Sequence, residues 1–299
     1  MQILNYPVKI NTPTAVALGY FDGVHTAHNK ILTCAAENSS RLVPVVFTFS
    51  EMAKSASGCL TTNKEKHSLF EKSGIEVLVS ADFSSLCSKS AEEFVREVLL
   101  NNLSAKAVYC GYNYRFSKGA AADVSTLKAL CEKEGIDVFV TEEITEDGTA
   151  VSSSAIKALL QSGEVLKASH LLGRSYSLSG EIVHGNALGR TISTPTLNIR
   201  VSKDKLLPRF GVYAALVSLG NATFKAVANI GMKPTVGSDV PTVEAYLISE
   251  SGDFYGEEAT LFLQDFIRDE RKFENLEELK AQIRIDTEKA ESILRNIDL

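Results

Sequence analysis

The spacing of apolar residues changes near residue 160, and this change limits the folds that the chain can adopt. Before it, polar amphipathic stretches alternate with five short apolar runs, at residues 15–18, 42–49, 75–79, 107–110 and 138–141. Strands that alternate with helices in this way form a parallel sheet. After it, strand-like segments follow one another with only turns between them. We therefore predict an α/β domain followed by an all-β domain.

The second half contains six predicted strands, at residues 179–184, 196–201, 212–219, 224–230, 242–248 and 259–263. Six short strands with turns between them favour a closed β-barrel. A terminal amphipathic helix is predicted over residues 276–297, with Leu279, Ile283, Ala290 and Leu294 on the side that packs on the barrel. A helix over residues 164–172, with Gly173 as its C-cap, separates the halves. We predict domains at residues 1–173 and 174–299, because 299 residues are long for one core.

Charge and composition exclude several classes of function. The net charge is −6 at pH 7, and both halves carry more acidic than basic residues, which argues against a nucleic-acid partner. No stretch approaches the roughly 20 apolar residues of a membrane helix, and the N-terminus lacks the pattern of a signal peptide. The five cysteines include no C-x-x-C pair, so we expect reduced thiols. We therefore expect a cytoplasmic protein without membrane partners; the sequence leaves its oligomeric state open.

A glycine-containing turn at residues 19–28 joins the first apolar run to a helix that Thr26 is predicted to cap. Free amides at the start of such a helix attract anions. His25 and His28 are three positions apart, so both can face a triphosphate and donate hydrogen bonds to a leaving pyrophosphate. The alternative is a pair of capping or surface histidines.

Two further segments of the first half carry polar groups beside predicted elements. Residues 152–154 are serines that precede a helix, so they either cap it or also offer hydroxyls and amides to phosphate. Residues 113–116 combine an amide, a cation and two aromatic rings after a strand, which suits a flat heteroaromatic ligand. The alternative for this second segment is core aromatics with a surface arginine.

These segments resemble, in order and spacing, the motifs of bacterial FAD synthetases in the nucleotidylyltransferase superfamily. The matching strings are residues 19–28, 60–62, 111–116 and 151–157. The resemblance implies a Rossmann-like domain that joins FMN to ATP, releases pyrophosphate and uses Mg²⁺. It implies catalytic roles for His25 and His28. It also implies ATP contacts from Gly19, Phe21, Asp22, Gly23, Ser153, Ser154 and Lys157, and flavin contacts from Asn113, Tyr114 and Phe116.

Three positions depart from the pattern of this family. Ala27 and Ser117 stand where the family has glycine, which reduces backbone freedom. Lys157 stands where the family has arginine, so it would neutralise phosphate as a point charge without a bidentate grip. These departures predict lower turnover rather than a different reaction.

Two features of the second half suit phosphate and metal binding. Gly185, Gly189 and Arg190 belong to a flexible turn that ends in a cation and can wrap phosphate, although an ordinary hairpin has the same composition. Thr196 and Asn198 alternate along a strand, so they share a face and offer two oxygens to a hard cation such as Mg²⁺. The alternative is a polar strand face in solvent.

The second half resembles riboflavin kinases over nearly its whole length, through residues 180–190, 194–198, 211–213, 229–235 and 268–273. The resemblance implies that Gly185, Gly189 and Arg190 bind ATP and that Thr196 and Asn198 hold Mg²⁺. It makes Glu244 the general base on the riboflavin 5′-hydroxyl, against the alternative of a solvated strand glutamate. Arg268 and Arg271 are assigned to the flavin, or else they pair with Asp265 and Asp269.

Together the two resemblances indicate the bacterial bifunctional riboflavin kinase/FAD synthetase family, with ATP, riboflavin and FMN as substrates. One alternative is a kinase whose adenylylation half has weakened. The residues at four positions motivate this alternative, namely Ala27, Ser117, Ser154 and Lys157. Another is a flavin-binding regulator with RNA contacts through the barrel. The acidic second half and the presence of Glu244, Thr196 and Asn198 argue against the regulator.

Overall fold

The computed structural model describes residues 1–37, 41–50, 58–184, 196–232, 241–250, 252 and 254–297. The chain forms two compact units, Met1–Ser153 and Ser154–Leu299. Within the described residues, none of the helices combines the length and apolar character that a membrane crossing requires.

The first unit is built on a six-stranded sheet in the order β1-β4-β3-β2-β5-β6, with every pairing parallel. Its strands are β1 Gln2–Asn5, β2 Thr14–Leu18, β3 Val43–Phe49, β4 Val77–Ala81, β5 Ala105–Gly111 and β6 Asp137–Thr141. The helices are α1 Thr26–Glu37, α2 Asn63–Lys72, α3 Phe83–Leu86, α4 Ala91–Glu93 with its π-helical continuation Phe94–Asn102, and α5 Val124–Lys133. A small hairpin, β7 Thr145–Glu146 and β8 Thr149–Ala150, follows. The predicted parallel sheet is confirmed.

Strand β2 shows why the sheet is buried on both faces. All five of its residues are buried, and its side chains alternate between two apolar clusters. Val16 and Leu18 belong to one cluster, whereas Ala15 and Ala17 belong to the other. A parallel strand covered on both faces has an uninterrupted apolar run, which is why the sequence identifies this strand. The prediction missed β1, an edge strand with no buried residue.

The second unit contains a closed barrel in the order β10-β13-β12-β11-β14-β9. Its elements are α6 Ser153–Ser162, α7 Val165–Leu172, β9 Ser177–Val183, β10 Thr196–Val201, β11 Gly211–Leu219, β12 Ala222–Met232, β13 Pro241–Leu247, β14 Glu258–Arg268 and α8 Leu276–Ile293. Gly173 ends α7 in the left-handed conformation, with φ of 71°. Helix α8 packs on β11, β12 and β14. The six-stranded barrel and its terminal helix are confirmed.

The cysteines are free thiols, and three of them, Cys59, Cys110 and Cys131, are buried. Burial raises the pKa of Cys110 to about 11. Burial also raises the pKa of Cys131 to about 12. These two thiols are therefore protonated at neutral pH and act as small apolar side chains.

Candidate active sites

The turn at residues 19–28 follows β2 and leads into α1. The helix begins at Thr26, and the Nδ1 atom of His25 accepts the backbone N–H of His28 at 3.3 Å. His25 therefore occupies the cap, and the prediction that Thr26 caps the helix is wrong, because Thr26 is already the first helical residue. Since Nδ1 accepts this hydrogen bond, Nε2 is the ring nitrogen of His25 that carries a proton and can donate.

His25 and His28 lie against each other. Their rings stack with centroids 3.5 Å apart and an interplanar angle of 15°, and the Phe21 ring meets His28 edge-on at 5.2 Å. The Nδ1 atom of His28 is buried, and it has no hydrogen-bond partner among the residues that the structure describes. Burial first, and then the charges of His25 and Lys66, hold the pKa of His28 well below its ordinary value of 6.5. At neutral pH His28 is an uncharged imidazole that donates through N–H.

Asp22 binds the turn to the motif at residues 60–62 through hydrogen bonds. Its carboxylate is buried, and Oδ1 accepts the backbone N–H groups of Leu60 at 2.8 Å and Thr61 at 3.4 Å. The backbone N–H of Gly23 donates to Oγ1 of Thr61 at 3.0 Å. The Ser153 hydroxyl donates to the carbonyl oxygen of Asp22 at 2.8 Å. Three separate sequence motifs therefore meet at this turn.

The backbone of the turn is tightly constrained. Phe21 and Val24 have positive φ angles of 56° and 40°, a conformation that costs free energy for residues other than glycine. A Cβ atom on Gly19 would lie 2.8 Å from Cζ of Phe21. Glycine at position 19 is therefore required for the buried Phe21 ring to fold back over the end of β2.

A cavity of about 460 Å³ opens beside this turn. Gly19, Tyr20, Phe21 and His28 line one part of it, and the segment Asn113, Tyr114, Arg115 and Phe116 lines another. The structure thus brings together two predicted motifs more than 80 positions apart, because both follow the carboxyl ends of neighbouring strands β2 and β5.

In the barrel, five residues from neighbouring strands stand in one row. Asn198 pairs with Glu244, Glu244 with Asn229, Asn229 with Val212, and Val212 with Arg268. Paired residues of an antiparallel sheet point to the same face. The residues on either side of Asn198 and Glu244 are buried in the barrel, so this row lies on the outer face.

A second cavity, of about 260 Å³, lies between this outer face and helix α8. Thr196, Glu244, Arg268 and Arg271 line it, so it collects four of the predicted site residues. Asn198 lies beside it, opposite Glu244 in register. Groups of three or more His, Cys, Asp or Glu side chains that could hold a metal ion do not occur among the described residues. Thr196 and Asn198 would offer a hydroxyl and an amide oxygen instead.

Comparisons with known proteins match both halves of the chain. Residues 8–155 match the FAD synthetase family model, and residues 172–294 match the riboflavin kinase family model. A bifunctional riboflavin kinase/FMN adenylyltransferase of Escherichia coli (strain K12) is 32% identical over 281 residues, which cover 91% of this chain and 90% of the relative. The chain belongs to the bifunctional riboflavin kinase/FMN adenylyltransferase family. The same function is named for a Bacillus subtilis (strain 168) relative, 30% identical over 95% of this chain and 93% of its own length.

The fold of this family member is also similar to a solved structure. The crystal structure of a macrolide-efflux protein from Streptococcus pneumoniae has a TM-score of 0.87 and 26% sequence identity, and the match covers 100% of both chains. The likeness therefore includes both the parallel sheet and the barrel.

The remaining predicted site residues lie outside the linings of the two cavities. Ser154 and Lys157 lie on α6 in the second unit. The predicted ATP-binding residues Gly185, Gly189 and Arg190 lie outside the described residues.

Arg268 is held by helix α8. Its guanidinium donates to Asp286 through Nε at 3.0 Å and through NH2 at 2.8 Å, and Gln282 donates to the same carboxylate at 2.7 Å. The alternative pairing of Arg268 with the Asp265 or Asp269 carboxylate is wrong, because those groups bond to the Phe266 amide and to Arg209. The Arg271 guanidinium lies over the Phe273 ring at 4.7 Å.

The sequence analysis did not predict two groups of residues that line these cavities. The first cavity has an apolar wall made by Phe49, Phe83, Leu86, Cys87 and Phe94. The sequence did contain a signal for Phe49, because this residue is the last of a predicted strand and ligands bind beyond the carboxyl ends of such strands. The second cavity includes Glu270, whose Oε1 accepts from Asn229 at 3.3 Å. A Cβ atom on Gly231 would lie 1.9 Å from this oxygen, so glycine there makes room for the carboxylate.

Proposed function

We propose that this chain phosphorylates riboflavin to FMN and then adenylylates FMN to FAD, with ATP as the donor in both steps. One observation carries the proposal: each compact unit has its own cavity, the first lined by Gly19, His28 and residues 113–116 and the second by Thr196, Glu244, Arg268 and Arg271.

For adenylylation, we propose that a phosphate oxygen of FMN attacks the α-phosphorus of ATP, and that the bond to pyrophosphate breaks. His25 donates from Nε2, and His28 donates as an uncharged imidazole, toward the charge that develops on pyrophosphate. Main-chain groups of Gly19, Phe21 and Gly23 border the phosphates. Such a reaction needs positioning and electrostatic stabilisation rather than a protein nucleophile.

Of the other residues assigned to adenylylation, some contact the flavin, some contact ATP, and one holds the turn at residues 19–28. Tyr114 and Phe116 offer parallel rings, 5.9 Å apart and inclined by 13°, and with Asn113 they contact the flavin. Ser153, Ser154 and Lys157 contact ATP. Asp22 contributes through its main chain, because its side chain binds the amides of residues 60 and 61.

For phosphorylation, we propose that Glu244 removes the proton of the riboflavin 5′-hydroxyl as this oxygen attacks the γ-phosphorus of ATP. General base assistance is typically worth about 10²–10⁴-fold in rate. Arg271 contacts the flavin, Arg268 contacts it while bound to Asp286, and Gly185, Gly189 and Arg190 contact ATP.

Mg²⁺ is part of the proposal for the kinase unit. The Thr196 hydroxyl and the Asn198 amide oxygen lie on one face of strand β10. These are oxygen donors of the kind that Mg²⁺ takes alongside water and phosphate oxygens. When bound, Mg²⁺ shields the negative charge of the ATP phosphates.

The test is to incubate the protein with riboflavin, ATP and Mg²⁺ and to separate riboflavin, FMN and FAD. We expect FMN first and FAD later, and FAD alone when FMN is supplied. FMN without FAD would indicate the kinase with a weakened adenylylation half. Flavin binding without either product would indicate the regulator.

A further inference from the structure

Lys66 is a buried cation close to the adenylylation cavity. It lies on α2 with 2% of its surface exposed. Its Nζ donates to the carbonyl oxygen of Tyr20 at 3.4 Å and lies 4.7 Å from the centroid of the Tyr20 ring. Across the described part of the chain, no carboxylate forms an ion pair with this ammonium. Three N–H donors therefore share one long hydrogen bond and one aromatic face.

Helix α2 has other features that hold it in place. Its capping box is complete, because Thr62 and Glu65 bond each other's backbone N–H groups, and Phe70 is its fully buried apolar anchor. A buried ammonium without an ion pair is costly, and an apolar side chain of similar length would avoid that cost. Burial lowers the pKa of Lys66, and the opposing effects of Asp22 and Cys59 are smaller. The lysine thus adds a charge that the packing of α2 does not require.

This charge lies behind the wall of the cavity. The Tyr20 carbonyl that binds Lys66 also accepts the Thr48 hydroxyl at 3.2 Å, and Tyr20 lines the cavity beside His28. The charge of Lys66 is one of those that keep His28 uncharged. An anion placed at the histidine pair would therefore interact with this ammonium.

We propose that Lys66 is a positioning residue of the adenylylation site: its buried charge draws the ATP phosphates to His25 and His28, and its hydrogen bond fixes the Tyr20 wall. The ATP phosphates supply the ion-pair partner that the described residues do not, in addition to the weaker effect of Asp22. This inference rests on the proposed adenylylation of FMN. It adds a long-range electrostatic contribution to binding, which the uncharged His28 alone does not give.

The test compares three variants of the full chain. Lys66→Met removes the charge and the hydrogen bond, Lys66→Gln removes the charge and keeps a donor for Tyr20, and Lys72→Met removes an exposed charge from the same helix. We expect both Lys66 variants to raise the KM for ATP in FAD formation on the order of 10-fold to 100-fold. Lys72→Met should match the wild type, and riboflavin phosphorylation should be unchanged in all three.

A second readout is independent of turnover. ATP binding should raise the pKa of Lys66, so at alkaline pH the wild type should take up protons on binding ATP, as calorimetry in two buffers would measure. The Lys66 variants should lack that part of the uptake. If the variants fail to fold, the wild-type measurement decides, and binding without uptake would overturn the inference.

The outcomes separate this inference from the function on which it rests. A wild type that makes no FAD from FMN would contradict the proposed function. A wild type that makes FAD, beside Lys66→Met with an unchanged KM for ATP, would overturn the role of Lys66 alone. A normal KM in Lys66→Gln with a raised KM in Lys66→Met would assign the effect to the Tyr20 hydrogen bond and overturn the role of the charge.

Discussion

Asn198 of β10 lies directly opposite Glu244 of β13 in the register of the barrel. The pair places an amide oxygen and a carboxylate on one outer face, beside the cavity under α8. Glu244→Gln keeps the size of the side chain and removes its basicity. We expect riboflavin phosphorylation to fall by about 10²–10⁴-fold with ATP affinity nearly unchanged. Conversion of supplied FMN to FAD is the control, and equal loss of both activities would point to misfolding.

His28→Ala removes an uncharged donor that is stacked on His25. We expect FAD formation to fall on the order of 10²–10³-fold, because the donor meets charge that develops in the transition state. FMN formation from riboflavin, measured in the same preparation, should stay normal. Normal FAD synthesis by the folded variant would return this histidine to a purely structural role.

The stability of the first unit should depend on pH through His28. The pKa of this residue is 6.5 when unfolded and well below that in the native fold, so the unfolded chain binds more protons between these values. Native stability is therefore complete above about pH 6.5 and falls as the pH is lowered from there. Urea denaturation at several pH values would measure this dependence. His28→Gln should flatten it, and an unchanged slope would contradict the assignment.

Asp286 should hold helix α8 over the kinase cavity. Its carboxylate is 2% exposed and accepts hydrogen bonds from Arg268 and Gln282, so Asp286→Asn leaves the partly buried Arg268 guanidinium with a weaker partner. We expect a loss of stability of about 3–5 kcal/mol and a raised KM for riboflavin. Glu288→Gln, an exposed change on the same helix, is the matched control. Normal riboflavin affinity in a destabilised Asp286→Asn would limit the pair to stability.

The proposed division of activities at residue 173 can be tested with fragments. Residues 174–299 carry the kinase motifs, whereas residues 154–299 add α7, which packs on β14, and a backbone hydrogen bond of 2.8 Å from Arg209 to Leu160. We expect both fragments to phosphorylate riboflavin and neither to make FAD. The longer one should unfold at higher denaturant concentration. A folded, ATP-binding fragment that makes no FMN would show that the kinase is not modular.

Features set by neighbours along the chain could be predicted from the sequence. The change of apolar period indicated a parallel sheet and then a barrel, because burial on one or both faces leaves its pattern in consecutive residues. Gly173 was recognised as a cap for the same local reason. Strand β1 escaped because an exposed edge strand carries no apolar pattern.

Tertiary structure decided which side chains meet. The sequence placed Asn198 and Glu244 on two strands, but only the barrel register put them face to face. Arg268 was assigned to the flavin, with Asp265 or Asp269 as the alternative partners, and its guanidinium bonds Asp286, 18 positions away on another element. Lys66 is polar in an otherwise polar helix, so nothing local marks it as buried. Local patterns in the sequence indicated the two folds, and the resemblance to known families indicated the reaction class. Burial and cross-strand register depend on distant residues, so only the tertiary structure decided the charges and partners within each site.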